Sequence, residues 1–268
     1  MNNNLNFYAS DYDVLTQKKR QEIKTSNRYS FISTEKIIDC FENQGFILAD
    51  TQIANVRKPE NQGFQKHLLR FRLKDEQSLY LNKKIADVNE AILINSFNGT
   101  SNAFLLVGKN VSACLNGLIS GNIFESYKIR HIGFTENKVN EAIQGILKQF
   151  KLLDNITQQM KNKILHSDKK RDFNFDACKL YFDNDMFDFN KYNFYSTSKR
   201  LNIPLRIEDS QNTLWNQFNI CQEKMVKKSN FNWLIKSDFT SVNSKAINSL
   251  DRSTKLNRNL FDLAMSYV

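Results

Sequence analysis

The sequence predicts an α+β fold in which an N-terminal sheet with one helix precedes a helical C-terminal region. All eight glycines lie between Gly45 and Gly145, and the 123 residues that follow have none. Because glycine serves left-handed turns and bulges, the first half is expected to be rich in turns and strands. Short apolar runs separated by polar turns fill that half, whereas apolar residues recur at helical spacing in the second. We therefore expect an antiparallel or mixed sheet with a capping helix, then a long amphipathic helix and a helical region.

The predicted organisation has three parts: a polar arm over 1–28, a β-rich domain over 29–135 and a helical region over 136–268. In the β-rich domain, Ser33 or Thr34 caps a helix that is expected to bury Ile37, Ile38 and Phe41. Gly45 then ends this helix, and Phe46 folds back over it. The alternating and apolar runs predict six strands, at 46–56, 64–73, 91–95, 103–107, 111–115 and 126–131.

Thr135 is expected to cap the long helix, because an apolar stripe begins just after it and keeps helical spacing for about eight turns. This stripe consists of Val139, Ile143, Ile146, Phe150, Leu153, Ile156, Met160 and Ile164. Further helices are expected at about 172–184, 209–228, 241–250 and 253–267. The helical region would pack on or beside the β-rich domain.

The formal charge of +10 favours a polyanionic partner, because lysine and arginine supply most of the contacts in nucleic-acid binding. A compositional explanation competes with it. The chain has 27 Lys against 11 Arg, abundant Asn, Ile and Phe and only two Pro, as an AT-rich genome would impose on any protein. The distribution of the charge therefore matters more than its sum.

Other classes are disfavoured. No run of about 18 apolar residues is present, so no membrane span is expected, and the first residues do not resemble a signal peptide. The four cysteines and three histidines are scattered without a CxxC pair, which disfavours a metal site and indicates reduced thiols in the cytoplasm. No cofactor is expected, since neither a GxxxxGK[ST] nor a GxGxxG motif occurs.

The strand at 64–74 has the clearest functional pattern. Alternation places Lys66, Arg70, Arg72 and Lys74 on one face without an acid, and we interpret this face as a nucleic-acid-binding surface or, alternatively, as a solvated face. His67 lies on the opposite, apolar face, where a hydrogen-bonded core histidine is expected. The strand at 126–131 repeats the pattern with Lys128 and Arg130, and the two strands would form a continuous basic face if they were neighbours.

Two polar turns, Asn95–Ser101 and Asn116-Gly117, are candidate ligand sites. The first offers amides, including Asn95 and Asn98, and a flexible Gly99 that would suit an anion, although a simple hairpin turn explains it as well. Phe97 and Phe104 are the candidates to stack on unpaired bases, while Phe104 equally suits the core.

Further candidates lie on the helix at 213–228, where Trp215, Asn219 and Gln222 share one side. They would either fix the helix to the sheet or contact a base. The acidic residues of the preceding helical block form a solvated patch in our interpretation rather than a calcium site, because the glycine of a calcium loop is missing. They are Asp172, Asp176, Asp183, Asp185 and Asp188. Basic stretches at 136–171 and 223–258 flank this patch, and the alternation of charge would steer a polyanion or form an interface with another subunit.

Four segments resemble the phage- and plasmid-borne family named domain of unknown function 932. The motifs are YSFIST at 29–34, FQKHLLRFR at 64–72, the stretch from Asn95 to Gly117, and TLWNQFNICQEKMVKK at 213–228. The chain departs from the family pattern at Phe97 and Asn98, where histidine and aspartate are usual, at Ser33, where proline is usual, and at Lys109 or Asn110, where arginine is usual. The resemblance implies a phage or mobile-element protein in a bacterial cytoplasm, and the two departures in the turn favour a binding or structural role there.

Three hypotheses follow. The leading one is a non-enzymatic protein that binds DNA, including single strands, in replication, annealing-type recombination or counter-defence. A nuclease or nucleotide-processing enzyme using His67, Glu223 and the aspartates is the first alternative. The second is a protein-binding inhibitor or assembly subunit, acting as a homo-oligomer or on a host protein.

Overall fold

The computed structural model describes residues 32–55, 59, 64–83, 86–96, 102–111, 114–130, 133–182, 188, 190–226, 233–244 and 247–268, with the side chains of 114–116 left aside. The predicted arm over 1–28 and the turn at 97–101 lie outside these residues. The chain divides into two compact units, Met1–Ser112 with Phe124–Phe150 and Ala113–Ile123 with Lys151–Val268. The division falls inside the long helix, whereas the predicted boundary precedes it.

The fold is α+β, as predicted. The first unit contains α1 (Thr34–Glu42), β1 (Phe46–Ile53), β2 (His67–Leu73), α2 (Lys74–Leu81), β3 (Asp87–Asn95), β4 (Ala103–Val111), β6 (Tyr127–Ile129) and the first half of α3 (Glu136–Asn162). The second unit contains β5 (Cys114–Ile119), the rest of α3, α4 (Ser167–Tyr181), α5 (Phe194–Leu201), a 3₁₀ turn (Ile207–Asp209), α6 (Leu214–Met225), β7 (Leu234–Ile235), β8 (Ser241–Val242) and α7 (Leu250–Met265).

In the first unit β1, β2, β3, β4 and β6 pair in that order, each antiparallel to its neighbour. One face carries Leu69 and Phe71, and α1 packs there through Phe41, whose ring stacks on that of Phe71 with centroids 4.0 Å apart. Phe150 of α3 meets Phe46 at the same core. Gly45 has a φ of +82°, which lets the chain reverse from α1 into β1.

The long helix begins at Glu136 and is 27 residues long. Its predicted stripe is buried from Val139 to Met160, as the helical spacing requires. Ile164 is the exception, because it lies beyond the end of the helix and is 55% exposed. No described helix is both long enough and apolar enough to cross a lipid bilayer.

Several predicted bounds were wrong. β4 continues through Gly108 to Val111 because β3 extends back to Asp87 and pairs along the whole length. Asn116-Gly117, predicted as a turn, lies within β5. Two short helices, α2 and α5, were not predicted, and Lys74 is the first residue of α2 rather than part of the strand.

The segment at 241–250 was also wrongly predicted as a helix. Its first two residues form β8, which pairs with β7, and only Leu250 begins a helix. Serine and asparagine recur in this segment, and their side chains compete with helical hydrogen bonding of the backbone. Those residues outweighed the few apolar positions on which the prediction rested.

The second unit is organised around α6, in which every residue from Leu214 to Met225 is buried. Its apolar side joins the aromatic core, where the rings of Phe218 and Phe261 meet edge to face. α7 packs against α4, α6 and β5. A helix buried on all sides must satisfy its polar side chains internally, so α6 needs partners for its amides.

Candidate functional site

The two arginines of β2 form a buried cluster with a carboxylate of the neighbouring strand. Arg70 Nη1 donates to Glu90 Oε2 at 2.5 Å, and Arg72 Nε donates to Glu90 Oε1 at 2.8 Å. Glu90 is fully buried, and Arg70 and Arg72 are 3% and 7% exposed. We refer to Arg70, Arg72 and Glu90 as the arginine cluster. Each oxygen of the carboxylate thus accepts a charge-assisted hydrogen bond.

Helix α2 completes the surroundings of Arg72. Arg72 Nη1 donates to Gln77 Oε1 at 2.8 Å, and the guanidinium carbon lies 5.1 Å from the centre of the Tyr80 ring. The Tyr80 hydroxyl in turn donates to Asn110 of β4. These contacts hold the guanidinium in one position, so its donors serve the fold.

The face of β2 that carries Arg70 and Arg72 therefore differs from the prediction of a basic face without an acid. The absence of acids holds along β2 itself, but the register of β3 brings Glu90 beside Arg72. Lys66 is half-buried, and Lys74 is exposed at the start of α2. β6, which carries Lys128 and ends just before Arg130, pairs with β4, and β3 lies between β4 and β2. Among the described strands, the two that carry these cations are therefore not neighbours. Nucleic-acid contact by these residues stays a prediction.

Three exposed cations meet instead where β6 lies near the N-terminal half of α3. A cleft of about 360 Å³ is lined by Lys128, Arg130 and Lys138, together with Glu141 and the ring of Tyr127. We call these five residues the cationic cleft. Within the described part of the chain, no carboxylate lies within 4.0 Å of the charged groups of Lys128 or Arg130. Sequence alternation identified Lys128 and Arg130, but not Lys138, which donates to the Gly133 carbonyl at 2.7 Å.

A larger groove of about 1020 Å³ adjoins this cleft between the end of α1, Tyr127 and α3. Its walls carry side-chain amides and carboxylates. Gln44 Nε2 donates to Asn140 Oδ1 at 2.7 Å, and Gln144 Nε2 donates to Gln44 Oε1 at 2.6 Å. We call it the amide groove. No sequence motif singled it out, because isolated amides on a helix surface are common.

His67 belongs to a buried hydrogen-bond network that joins three of the family-like motifs. Its Nδ1 donates to the Gln65 carbonyl at 3.1 Å, so its Nε2 accepts from the Thr34 hydroxyl at 2.9 Å. Asn95 Nδ2 donates to the same hydroxyl at 3.0 Å. Burial lowers the pKa of His67 to about 4, which keeps the ring neutral at physiological pH. This arrangement agrees with a core histidine that ties α1 to β2 and β3.

The candidate residues in and near the turn at 95–101 are only partly described by the structure. Asn95 is fully buried, and its Oδ1 accepts from the Ser96 amide at 2.8 Å. Phe97 and Asn98 lie outside the described residues. Phe104 is half-buried and sits opposite Lys128 in the register of β4 and β6.

The candidates on α6 are buried within the second unit. The ring of Trp215 is 5% exposed and stacks near Phe218, with Lys161 Nζ 5.6 Å from its centre. Gln222 Nε2 donates to Asn257 Oδ1, which also accepts from the Ile119 amide. Asn257 Nδ2 completes the link by donating to the Gly117 carbonyl at 3.1 Å. Gln222 thus links α6 to α7 rather than lying open to solvent, and Asn257 links α7 to β5.

A second ionic cluster lies beside α6. Arg206 Nη2 is 2.5 Å from Asp209 Oδ2, and Arg206 Nε is 3.5 Å from Glu223 Oε2. Burial raises the pKa of Asp209, and nearby Arg206 opposes that rise. Asn219, 1% exposed, faces the Asp209 carboxylate. Glu223, proposed for the enzyme alternative, therefore has an arginine partner.

The aspartates of the predicted acidic patch have different partners. Asp176 pairs with Lys179 at 2.9 Å and accepts from Tyr267, whereas Asp188 accepts from the backbone amide of Asn190. Asp172 lies 4.0 Å from Lys169, and Asp183 and Asp185 lie outside the described residues. Among the residues that the structure describes, no three His, Cys, Asp or Glu side chains converge in a way that could hold a metal ion.

Comparison with known proteins adds a family. The model of a family described as "Domain of unknown function (DUF932)" matches residues 24–261. The chain is 26% identical over 239 residues to each of two proteins of Escherichia coli K12, UPF0380 protein YfjQ and UPF0380 protein YafZ, and the match covers 89% of this chain and 82% of each relative. No solved structure matches.

Proposed function

Because the chain belongs to the family described as domain of unknown function 932, whose description gives no activity, we propose a function from the geometry: a nucleic-acid-binding protein whose cationic cleft contacts phosphates. The observation that carries the proposal is the convergence of Lys128, Arg130 and Lys138 on one cleft with a single carboxylate. All three side chains are exposed, so binding a phosphate does not first require breaking a buried ion pair.

The charge of the chain supports the same proposal. A formal charge of +10 would draw a polyanion to the protein, and the local cations would then position its phosphates. The proposed setting is a bacterial cytoplasm that harbours a phage or mobile element. There the protein would assist DNA replication, annealing-type recombination or counter-defence.

The test is a fluorescence anisotropy titration of labelled DNA at about 50 mM and about 200 mM salt. We expect the double variant Lys128→Glu/Arg130→Glu to lose at least tenfold in affinity, because two phosphate contacts become repulsive. The matched control is Lys169→Glu/Arg171→Glu, which makes the same change of net charge at two exposed residues of the second unit.

The affinity of the control variant for DNA should fall less than threefold. No binding by the wild type at about 50 mM salt, where electrostatic contacts are strong, would contradict the proposal. Equal losses in the two variants would also contradict it, because only net charge would then matter.

One observation favours a second candidate, a protein-binding module. Ile203, Leu205 and Ile207, at alternate positions after α5, are 53%, 41% and 83% exposed. Exposed apolar residues so close together suit a protein interface. Light scattering after gel filtration, on the wild type and on Ile207→Lys, tests self-association, and a wild-type dimer that dissociates in the variant would support this candidate.

A further inference from the structure

The cationic cleft and the amide groove share two residues, Tyr127 and Glu141, but their chemistry is opposite. The cleft has three cations and one carboxylate. The groove has the carboxylates of Glu125, Glu136 and Glu141 against the one ammonium of Lys148, together with five side-chain amides. An anion is therefore attracted to the cleft and repelled from the groove.

The amides of the groove form an ordered chain rather than independent surface groups. Gln44 of the α1–β1 turn accepts from Gln144 and donates to Asn140, so α3 and the end of α1 fix each other's side chains. Such a chain presents donors and acceptors side by side. Paired donors and acceptors of amides fit the hydrogen-bonding edges of bases, and carboxylates accept from exocyclic amino groups.

Tyr127 forms a fixed wall between the two cavities. Its hydroxyl donates to Glu125 at 2.8 Å, and burial is the main cause that raises its pKa, so the phenol stays neutral. The end of the ring occupies the space of a missing side chain at Gly145, where a Cβ atom would lie 2.1 Å from the hydroxyl oxygen. Gly145 in the middle of α3 thus lets the ring approach the helix.

We infer that the amide groove binds the edges of unpaired bases while the cleft holds the adjoining phosphates, which makes single-stranded nucleic acid the preferred ligand. This inference rests on the proposed function. A duplex already uses the Watson–Crick edges of its bases, so it leaves fewer groups for the groove. The volume of the groove, about 1020 Å³ against about 360 Å³ for the cleft, suits the larger part of a nucleotide.

The experiment compares three labelled ligands of 20 nucleotides by anisotropy: a mixed-sequence single strand, a strand of the same length with abasic sites throughout, and the duplex. The wild type should bind the base-bearing strand at least fivefold more tightly than the abasic strand, as expected for one or two recognised bases. In Gln44→Ala/Gln144→Ala this ratio should fall to about one, while the affinity for the abasic strand and the duplex stays within about twofold.

The matched control is Gln158→Ala/Gln159→Ala, which removes two exposed amides from the same helix and should keep the wild-type ratio. Thermal unfolding checks that both variants are folded, and the single variant Gln144→Ala replaces the double one if that one is not. Measurable binding without a preference for bases overturns the inference but leaves the proposed function standing. The same holds if the groove variant weakens all three ligands equally, whereas no binding of any ligand overturns the proposed function itself.

Discussion

The arginine cluster and the cationic cleft contain the same kind of side chain in opposite situations. Arg70 and Arg72 are almost fully buried and share the carboxylate of Glu90. Lys128 of β6 and Arg130, the first residue after that strand, are exposed. In the sequence both pairs are cations at alternate positions of a strand, so the pattern alone does not separate them. The neighbouring strand distinguishes the two pairs, because β3 supplies the buried carboxylate of Glu90 to Arg70 and Arg72.

The difference teaches that a cation is available to a ligand only if no buried carboxylate holds it. A buried guanidinium needs its carboxylate, since an unpaired charge in the interior is very costly. For an exposed ammonium, exchanging water for a phosphate costs little free energy. We therefore expect changes in the cluster to affect stability and changes in the cleft to affect binding.

The largest expected effect comes from Glu90→Gln. The variant removes the carboxylate but keeps the size of the side chain, which leaves two buried guanidiniums without the carboxylate that they share, while Arg70 keeps a longer pairing with the more exposed Asp50 at 3.8 Å. We expect the free energy of unfolding to fall by about 3–5 kcal/mol, the usual cost of removing one partner of a buried ion pair. Chemical denaturation with urea measures it.

Lys128→Ala is the control for that measurement and should change the free energy of unfolding by less than about 0.5 kcal/mol, as for most exposed positions. A loss under about 1 kcal/mol in Glu90→Gln would mean that the arginine cluster contributes little to the stability of the fold.

The opposite face of β2 offers a test by pH. His67 has a pKa of about 4 in the folded protein against 6.5 in an unfolded chain, so between these values the unfolded state binds the extra proton. The free energy of unfolding should therefore fall as pH drops from about 6.5 to about 4, by roughly 3 kcal/mol from this group alone.

In His67→Gln that contribution should be missing. Urea denaturation of both proteins at a series of pH values measures the difference between the two curves. Parallel curves across this window would show that His67 takes up its proton in the folded state.

Only part of the site could be predicted from the sequence. Alternation correctly separated Arg70 and Arg72 from His67, since adjacent strand residues must face opposite sides. It could not reveal the register that sets Glu90 beside Arg72, because pairing depends on residues 18 positions apart. One signal was available: a glutamate directly before the apolar run Ala91–Ile94 would need a cationic partner if the strand extended back to it.

The cationic cleft and the amide groove also could not be predicted from the local sequence. Lys138 lies on a helix and Lys128 on a strand, so their convergence is a property of packing and not of local pattern. The long helix, in contrast, was predictable because its stripe keeps one period through many turns. Long periodic elements are encoded locally, whereas sites that join distant elements are not.

A moderate effect is expected from Arg72→Lys, which keeps the charge. Lysine cannot reproduce the fork that reaches both Glu90 and Gln77 while it also contacts the Tyr80 ring. We expect a loss of about 1–2 kcal/mol in the free energy of unfolding, as for one or two hydrogen bonds to a charged group. Urea denaturation and DNA titration of the same preparation measure both properties.

The affinity for DNA should stay within about twofold in Arg72→Lys, because in our proposal the guanidinium serves the fold. A variant of wild-type stability that binds DNA tenfold more weakly would reverse the assignment and restore β2 as the binding strand.

The smallest effect on stability, and the most specific one on binding, is expected from Lys128→Gln/Arg130→Gln. Two exposed cations are neutralised, so the free energy of unfolding should change by less than about 0.5 kcal/mol. Each phosphate contact releases about one counter-ion, so the slope of log affinity against log salt should become shallower by about two. Titrations at four salt concentrations give this slope for the variant and the wild type. An unchanged slope would mean that Lys128 and Arg130 do not contact phosphates. A shallower slope at unchanged stability would show that the cleft acts in binding, in contrast to the arginine cluster, which acts in stability.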